Sequence, residues 1–223
     1  MYDGDVGGHR ADPLKIDPRE TKAELRARLL ATRNERHGEQ AARASGTLPQ
    51  SNTESVFTDR LIELVGGSVE AGTVIATYQP LSSEPNVSGF NDYLLAKGAV
   101  VLIPDLSVPP TGATLPFRLA EGTALPDDVD DIDSLIQTDG IRAMIVPALA
   151  LDQAGTRLGR GGGWYDMALR RFTSGDCECP ARPALIGVAF EDEFSAGAPL
   201  PVEEHDQRMD YIVTEDRTLK VTE

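Results

Sequence analysis

Apolar and polar positions along the chain change period several times. Ala23, Leu25, Leu29 and Leu30 recur at helical spacing behind Asp17, Pro18 and Glu20. A capping carboxylate, a first-turn proline and an acid three residues on predict a helix opening at about residue 17. Val56, Phe57, Leu61, Leu64 and Val65, closed by Gly66, predict a second. Short apolar runs then predict strands over 73–78, 100–103, 113–119, 143–147, 184–189 and 211–214. Between them stand helical patterns at Phe90, Tyr93, Leu94 and Leu95 before Gly98, and over 163–172. Alternation of this kind implies a parallel sheet. The expected fold is a single three-layer α/β domain over 17–223, with a mostly parallel central sheet flanked by helices in a Rossmann-like arrangement. Residues 1–16 lack periodicity and read as a flexible acidic tail. The aspartate-rich stretch 121–139 reads as an exposed acidic loop. No internal repeat is visible.

Composition narrows the function classes. The 223 residues are 40% hydrophobic, ordinary for a globular chain. No run of 18 apolar residues is present and the first residues are acidic and glycine-bearing, so neither secretion nor a membrane is expected and the location reads as cytoplasmic. Cys177 and Cys179 sit too close for an ordinary disulfide loop and lack companion ligands for zinc, so they read as loop thiols. A formal charge of −15 opposes contact with nucleic acid or anionic lipid. An anionic small molecule is still admissible where arginines and backbone N–H groups gather in one pocket. Nothing demands an assembly larger than a monomer.

That gathering occurs between Asp152 and Asp166, where Gly155, Arg157, Gly159, Arg160, Gly161, Gly162, Gly163, Trp164 and Tyr165 lie between an apolar strand and a helix. Glycines let successive N–H groups turn inward, the helix start adds unpaired donors, and arginine forks match phosphate oxygens. A merely flexible linker is the plainer alternative. No Lys-Ser or Lys-Thr pair follows, so the loop is not a Walker A motif; Trp164 occupies the place where a dinucleotide fingerprint needs glycine. Asp166, in the first turn of the following helix, would repel phosphate unless a cation intervenes, which makes it a candidate Mg2+ ligand or a helix-end charge. Asp206, after His205, is a second acidic candidate. A histidine-rich phosphohydrolase site is discounted, because only His9 and His37 remain.

These residues resemble the 5-formyltetrahydrofolate cyclo-ligase family, also called methenyltetrahydrofolate synthetase. The resemblance rests on four motifs in order: Lys22-Ala-Glu-Leu25-Arg26; Tyr78-Gln-Pro-Leu-Ser-Ser-Glu84; the glycine cradle from Arg157 to Asp166; and the proline-led His205-Asp206 segment within 201–214. It implies ATP- and Mg2+-dependent closure of 5-formyltetrahydrofolate to 5,10-methenyltetrahydrofolate, with release of ADP and phosphate.

By the same resemblance, Lys22, Arg26, Arg157, Gly159, Arg160, Gly161, Gly162, Gly163 and Tyr165 face the nucleotide, with Arg160, Trp164 and Asp166 nearest the chemistry. Gln79, Glu84 and Trp164 face the folate, and Asp166 and Asp206 share Mg2+. Trp164 stands where tyrosine is common, and Gly162 where some members carry lysine. Two rivals remain: a catalytically silent folate- or nucleotide-binding module, and a sugar-phosphate isomerase or deaminase of related fold, which would need a general base.

Overall fold

The computed structural model describes residues 14–44, 53–108, 115–173, 180–203 and 206–222. The helices are α1 (Lys22–Ala44), α2 (Thr53–Val65), α3 (Ser88–Ala96), α4 (Ile132–Thr138) and α5 (Trp164–Thr173). The main sheet contains β1 (Val74–Ala76), β2 (Val100–Pro104), β3 (Phe117–Leu119), β4 (Ala143–Pro147), β7 (Ala184–Val188), β9 (Tyr211–Val213) and β10 (Thr218–Lys220). A smaller sheet is built from β5 (Ala150–Asp152), β6 (Arg157–Leu158) and β8 (Phe194–Ser195).

The main sheet runs β10-β9-β7-β4-β1-β2-β3. Its inner strands are parallel, and antiparallel partners close both edges, β3 on β2 and β10 on β9. Strand alternation sends side chains to two faces. Val74, Ala76, Met144, Val146 and Leu185 pack on one face with Leu135 and Ile136 of α4 and Ala168 and Leu169 of α5. Ile75, Val101, Ile145 and Ile186 pack on the other with Phe57 and Leu61 of α2 and Phe90 and Leu94 of α3. This is the predicted three-layer, mostly parallel architecture.

Helix α1 lies elsewhere. Leu25 and Leu29 pack against Leu149, Ala150, Leu158 and Leu200 around the small sheet, joined by partly buried Leu14 and Ile16. Residues 14–16, assigned to the tail on pattern alone, are therefore anchored; residues 1–13 lie outside the described residues, as do Cys177, Cys179, His205 and the first two residues of the strand expected over 113–119.

Two local expectations are corrected. The first helix opens at Lys22, not near residue 17: Thr21 caps it by accepting the Glu24 N–H at 3.3 Å, while the Glu24 carboxylate accepts the Thr21 N–H at 2.9 Å. Asp17 closes a separate turn, accepting the Arg19 N–H at 2.9 Å. The stretch 121–139 is not all loop. Asp131 accepts the Ser134 N–H at 2.7 Å and caps α4, which buries Leu135 and Ile136.

Candidate active site

Following the chain outward from β1, the sheet winds one way through β2 and β3, and the other way through β4, β7 and β9. The switch falls between β1 and β4, where open α/β sheets leave a crevice beyond the carboxyl ends of the strands. A cavity of about 790 Å³ occupies that place, lined by segments leaving β1 (Tyr78, Gln79), β2 (Pro104, Asp105) and β4 (Ala148, Leu149). The remaining walls come from α1 and the glycine loop. Lys22, Arg26, Gln79, Glu84, Arg157, Gly159, Arg160, Gly161, Gly162, Gly163, Trp164, Tyr165, Asp166 and Asp206 all line it. The residues to which the resemblance gives site roles thus line one cavity, whereas Gly155 of the same stretch does not.

The glycine loop is held from below. Arg157, with a side chain 3% exposed, donates from one terminal nitrogen to Asp166 Oδ1 at 2.7 Å and from the other to the Pro147 carbonyl at 3.4 Å. Its Nε is buried without a hydrogen-bond partner among the described residues, an unsatisfied donor beside the loop. A Cβ on Gly159 would stand 2.6 Å from the Arg157 guanidinium, so a side chain here would push that guanidinium off its position. Gly161 and Gly163 take φ of +96° and +68°, in the left-handed region. Gly162 has open space around it. Arg26 bonds the Gly159 carbonyl at 3.0 Å and ties the loop to α1.

The opposing wall is equally fixed. Tyr78 donates its hydroxyl to the Pro85 carbonyl at 2.7 Å, and Asn91 of α3 bonds the Tyr78 carbonyl at 3.1 Å. Glu84 is not an open loop carboxylate, for its side chain is 8% exposed. One oxygen accepts the Leu81 N–H at 3.0 Å; the other accepts Arg160 Nε at 3.0 Å, while a second Arg160 nitrogen bonds Ser83 Oγ at 2.9 Å. Glu84 and Arg160 thus neutralise each other across the cavity. Lys22 likewise pairs with Asp206 at 2.5 Å and Glu203 at 3.3 Å.

Trp164 is 7% exposed, set edge-on against Phe117 at 5.5 Å and Tyr165 at 5.2 Å, with its indole N–H bonded to the Val108 carbonyl at 3.2 Å. It is a fixed wall. Burial pushes the Tyr165 phenol up, and the nearby Arg157 charge only partly opposes this, so Tyr165 is a hydrogen-bond donor rather than a base. Among the described residues no group of three His, Cys, Asp or Glu side chains is clustered as a metal centre. Two separate carboxylates beside an anion-receptive loop suit Mg2+, which takes few protein ligands and completes its shell with phosphate oxygens and water.

Sequence reasoning missed Arg33, Arg118, Leu81, Leu106 and Glu203, which also line the cavity. Arg118 had a legible signal: it is the charged residue inside an otherwise apolar predicted strand, and it bonds Gln79 Oε1 at 3.0 Å. Arg33 had none, because its partner Glu193 lies 160 residues away.

Fold and site together define a doubly wound α/β protein with an anion-receptive glycine loop at its switch point. The 5-formyltetrahydrofolate cyclo-ligase family model matches residues 18–215. A 5-formyltetrahydrofolate cyclo-ligase of Mycolicibacterium smegmatis is 29% identical over 214 residues, covering 91% of this chain and 97% of that one. The Mus musculus enzyme of that name is 32% identical over 91 residues, 41% of this chain and 42% of its own. In fold, the 5,10-methenyltetrahydrofolate synthetase of Aquifex aeolicus superposes with a TM-score of 0.59 at 20% identity, covering 91% of this chain and 93% of that one. That of Mycoplasma pneumoniae gives 0.56 at 16% identity, covering 86% and 98%. The chain belongs to the 5-formyltetrahydrofolate cyclo-ligase family, a family of ligase enzymes.

Proposed function

We propose that this chain closes 5-formyltetrahydrofolate to 5,10-methenyltetrahydrofolate at the expense of ATP, in the cytoplasm. The observation that carries the reading is the convergence of a phosphate-receptive loop and a pterin-suited carboxylate on one cavity at the sheet's switch point. The chemistry needs both. A formamide carbonyl is a weak electrophile and its oxygen a poor leaving group. Transfer of the γ-phosphoryl group to that oxygen makes it a phosphate ester; nitrogen 10 then attacks the formyl carbon, its proton passes to solvent, and the C–O bond breaks to release phosphate. ADP, phosphate and the methenyl cation are the products.

In such a reaction the protein positions the reactants and stabilises charge. The N–H groups of 161–163 and the start of α5 receive phosphate oxygens, with Lys22 and Arg26 beside them. Arg157 orients Asp166 and adds its positive charge beneath the loop. Arg160 is exposed enough to exchange Glu84 for a phosphate oxygen, which releases a Glu84 oxygen to accept pterin N–H groups. Trp164 closes one wall. Mg2+ would be held by Asp166 and Asp206 and supplies neutralisation of phosphate charge.

The test is to mix the purified protein with 5-formyltetrahydrofolate and MgATP and follow the absorbance of the conjugated methenyl product. Product should appear only with both substrates, in a one-to-one ratio with ADP. Binding of either ligand without ADP or methenyl product would identify a silent binding module instead.

A further inference from the structure

Among the described residues six cations line the cavity: Lys22, Arg26, Arg33, Arg118, Arg157 and Arg160. Four are paired with carboxylates, Lys22 with Asp206, Arg33 with Glu193, Arg157 with Asp166 and Arg160 with Glu84. Arg26 bonds the loop backbone. Arg118 differs. It stands on β3, the antiparallel edge strand, is exposed, and among the described residues bonds the neutral side-chain oxygen of Gln79 rather than a carboxylate. The carboxylate of Asp105, itself half-buried, is near enough to feel its charge.

Beside it the cavity wall turns apolar where it meets solvent. Leu81 and Leu106 line the cavity while 53% and 69% exposed. They come from the segments leaving β1 and β2, the strands nearest the β3 edge. Large aliphatic side chains this exposed on a cavity lining mark a surface that a ligand covers. An apolar rim with one guanidinium fits a ligand part that is flat and hydrophobic and then ends in carboxylate.

We infer that Leu81, Leu106 and Arg118 form an outer subsite for the aminobenzoyl-glutamate tail of the folate, with the aryl ring against the two leucines and a glutamate carboxylate on Arg118. The inference rests on the proposed cyclo-ligase reading and adds a specificity element to it. With the pterin held at Glu84, as that reading has it, the tail leaves where the cavity meets solvent, and Leu81, Leu106 and Arg118 are exposed lining residues there. Gln79 is a neutral placeholder: a ligand carboxylate replaces a neutral hydrogen bond with a charge-assisted one, with no ion pair among the described residues to break first.

The experiment compares 5-formyltetrahydrofolate with 5-formyltetrahydropteroate, which lacks the glutamate, in wild type, Arg118→Gln and Arg118→Lys. Turnover of both folates by the wild type is the separate check on the cyclo-ligase reading; turnover of neither overturns that reading and the subsite with it. Given turnover, wild type should show a KM about threefold to tenfold lower for the glutamate-bearing substrate, the size expected of one partly exposed charge pair. Arg118→Gln should remove most of that difference by raising the KM for 5-formyltetrahydrofolate, and Arg118→Lys should restore part of it. The KM for ATP should move less than about twofold, because the residue lies on the folate side. An equal rise for both folates, or a wild type indifferent to the glutamate, overturns the subsite. The wild-type comparison decides the matter even where a variant folds poorly.

Discussion

Replacing Arg33 with methionine should destabilise the protein by about 3 kcal/mol, at the lower end of what a broken buried ion pair costs. Arg33 and Glu193 have side chains 1% and 2% exposed. Arg33 Nε and a terminal nitrogen reach the two carboxylate oxygens at 2.8 and 2.7 Å, and the same terminal nitrogen bonds the Ala148 carbonyl. Methionine removes all three bonds and leaves the Glu193 carboxylate in the interior with the Phe190 N–H at 3.1 Å and Arg36 at 3.4 Å. Those two partners keep the loss near the lower bound. In a chain of this length each kcal/mol moves Tm by roughly 2–4 °C, so a fall of about 6–12 °C is expected by calorimetry, with a matching shift in urea midpoint. The double variant Arg33→Met/Glu193→Leu should lose less than Arg33→Met alone, since no stranded charge remains. A loss under about 1 kcal/mol for the single variant, or a double variant more damaged than the single, would refute the reasoning. The bond to Ala148 also ties α1, which carries Lys22 and Arg26, to the cavity floor, so the KM for ATP should rise with the instability.

Three further outcomes follow from the geometry. Gly161→Ala and Gly163→Ala force φ of +96° and +68° on a residue with a side chain and should each cost about 1–2 kcal/mol and weaken ATP binding, whereas Gly162→Ala, with open space and no positive φ, should leave Tm nearly unchanged; equal effects at all three would contradict the loop geometry. Burial raises the Glu215 carboxyl from an ordinary 4.5 to about 7, against the Glu191 N–H and the Arg36 charge and with Asp192 adding to the rise. The folded chain then holds a proton the unfolded chain releases, so stability falls as pH climbs from 4.5 through 7, by up to about 3 kcal/mol, and Glu215→Gln should flatten that slope in urea titrations at pH 5 and 8; an unchanged slope would count against it. Asp166→Asn should lower kcat more than folate affinity, and Glu84→Ala should weaken folate binding by calorimetric titration; parallel losses of both in each variant would argue against the separate roles.

How far the chain could be read in advance depended on what holds each element. Strands β1, β2, β4 and β7 were legible because strands buried on both faces are written as continuous apolar runs, such as Val100–Pro104 and Ala143–Pro147. Strands β5, β6 and β8 were not, for they are two or three residues long and exist through pairings such as Leu151 with Phe194, which no local pattern encodes. The start of α1 was misplaced because two capping sequences stand four residues apart, Asp17 with Glu20 and Thr21 with Glu24. Local chemistry alone does not rank them; packing of Leu25 and Leu29 on the small sheet does. The glycine loop was visible because its composition is its mechanism. The ion pairs that hold the cavity were invisible, since Lys22 and Asp206 lie 184 positions apart and Arg160 and Glu84 lie 76 apart.

The most direct trial of the phosphate cradle is a crystal structure grown with Mg2+ and a non-hydrolysable ATP analogue. The β- and γ-phosphate oxygens should lie within hydrogen-bonding distance of the backbone N–H groups of 161–163, with the metal on Asp166 or Asp206. A nucleotide bound elsewhere on the surface, with those amides facing solvent, would contradict the account.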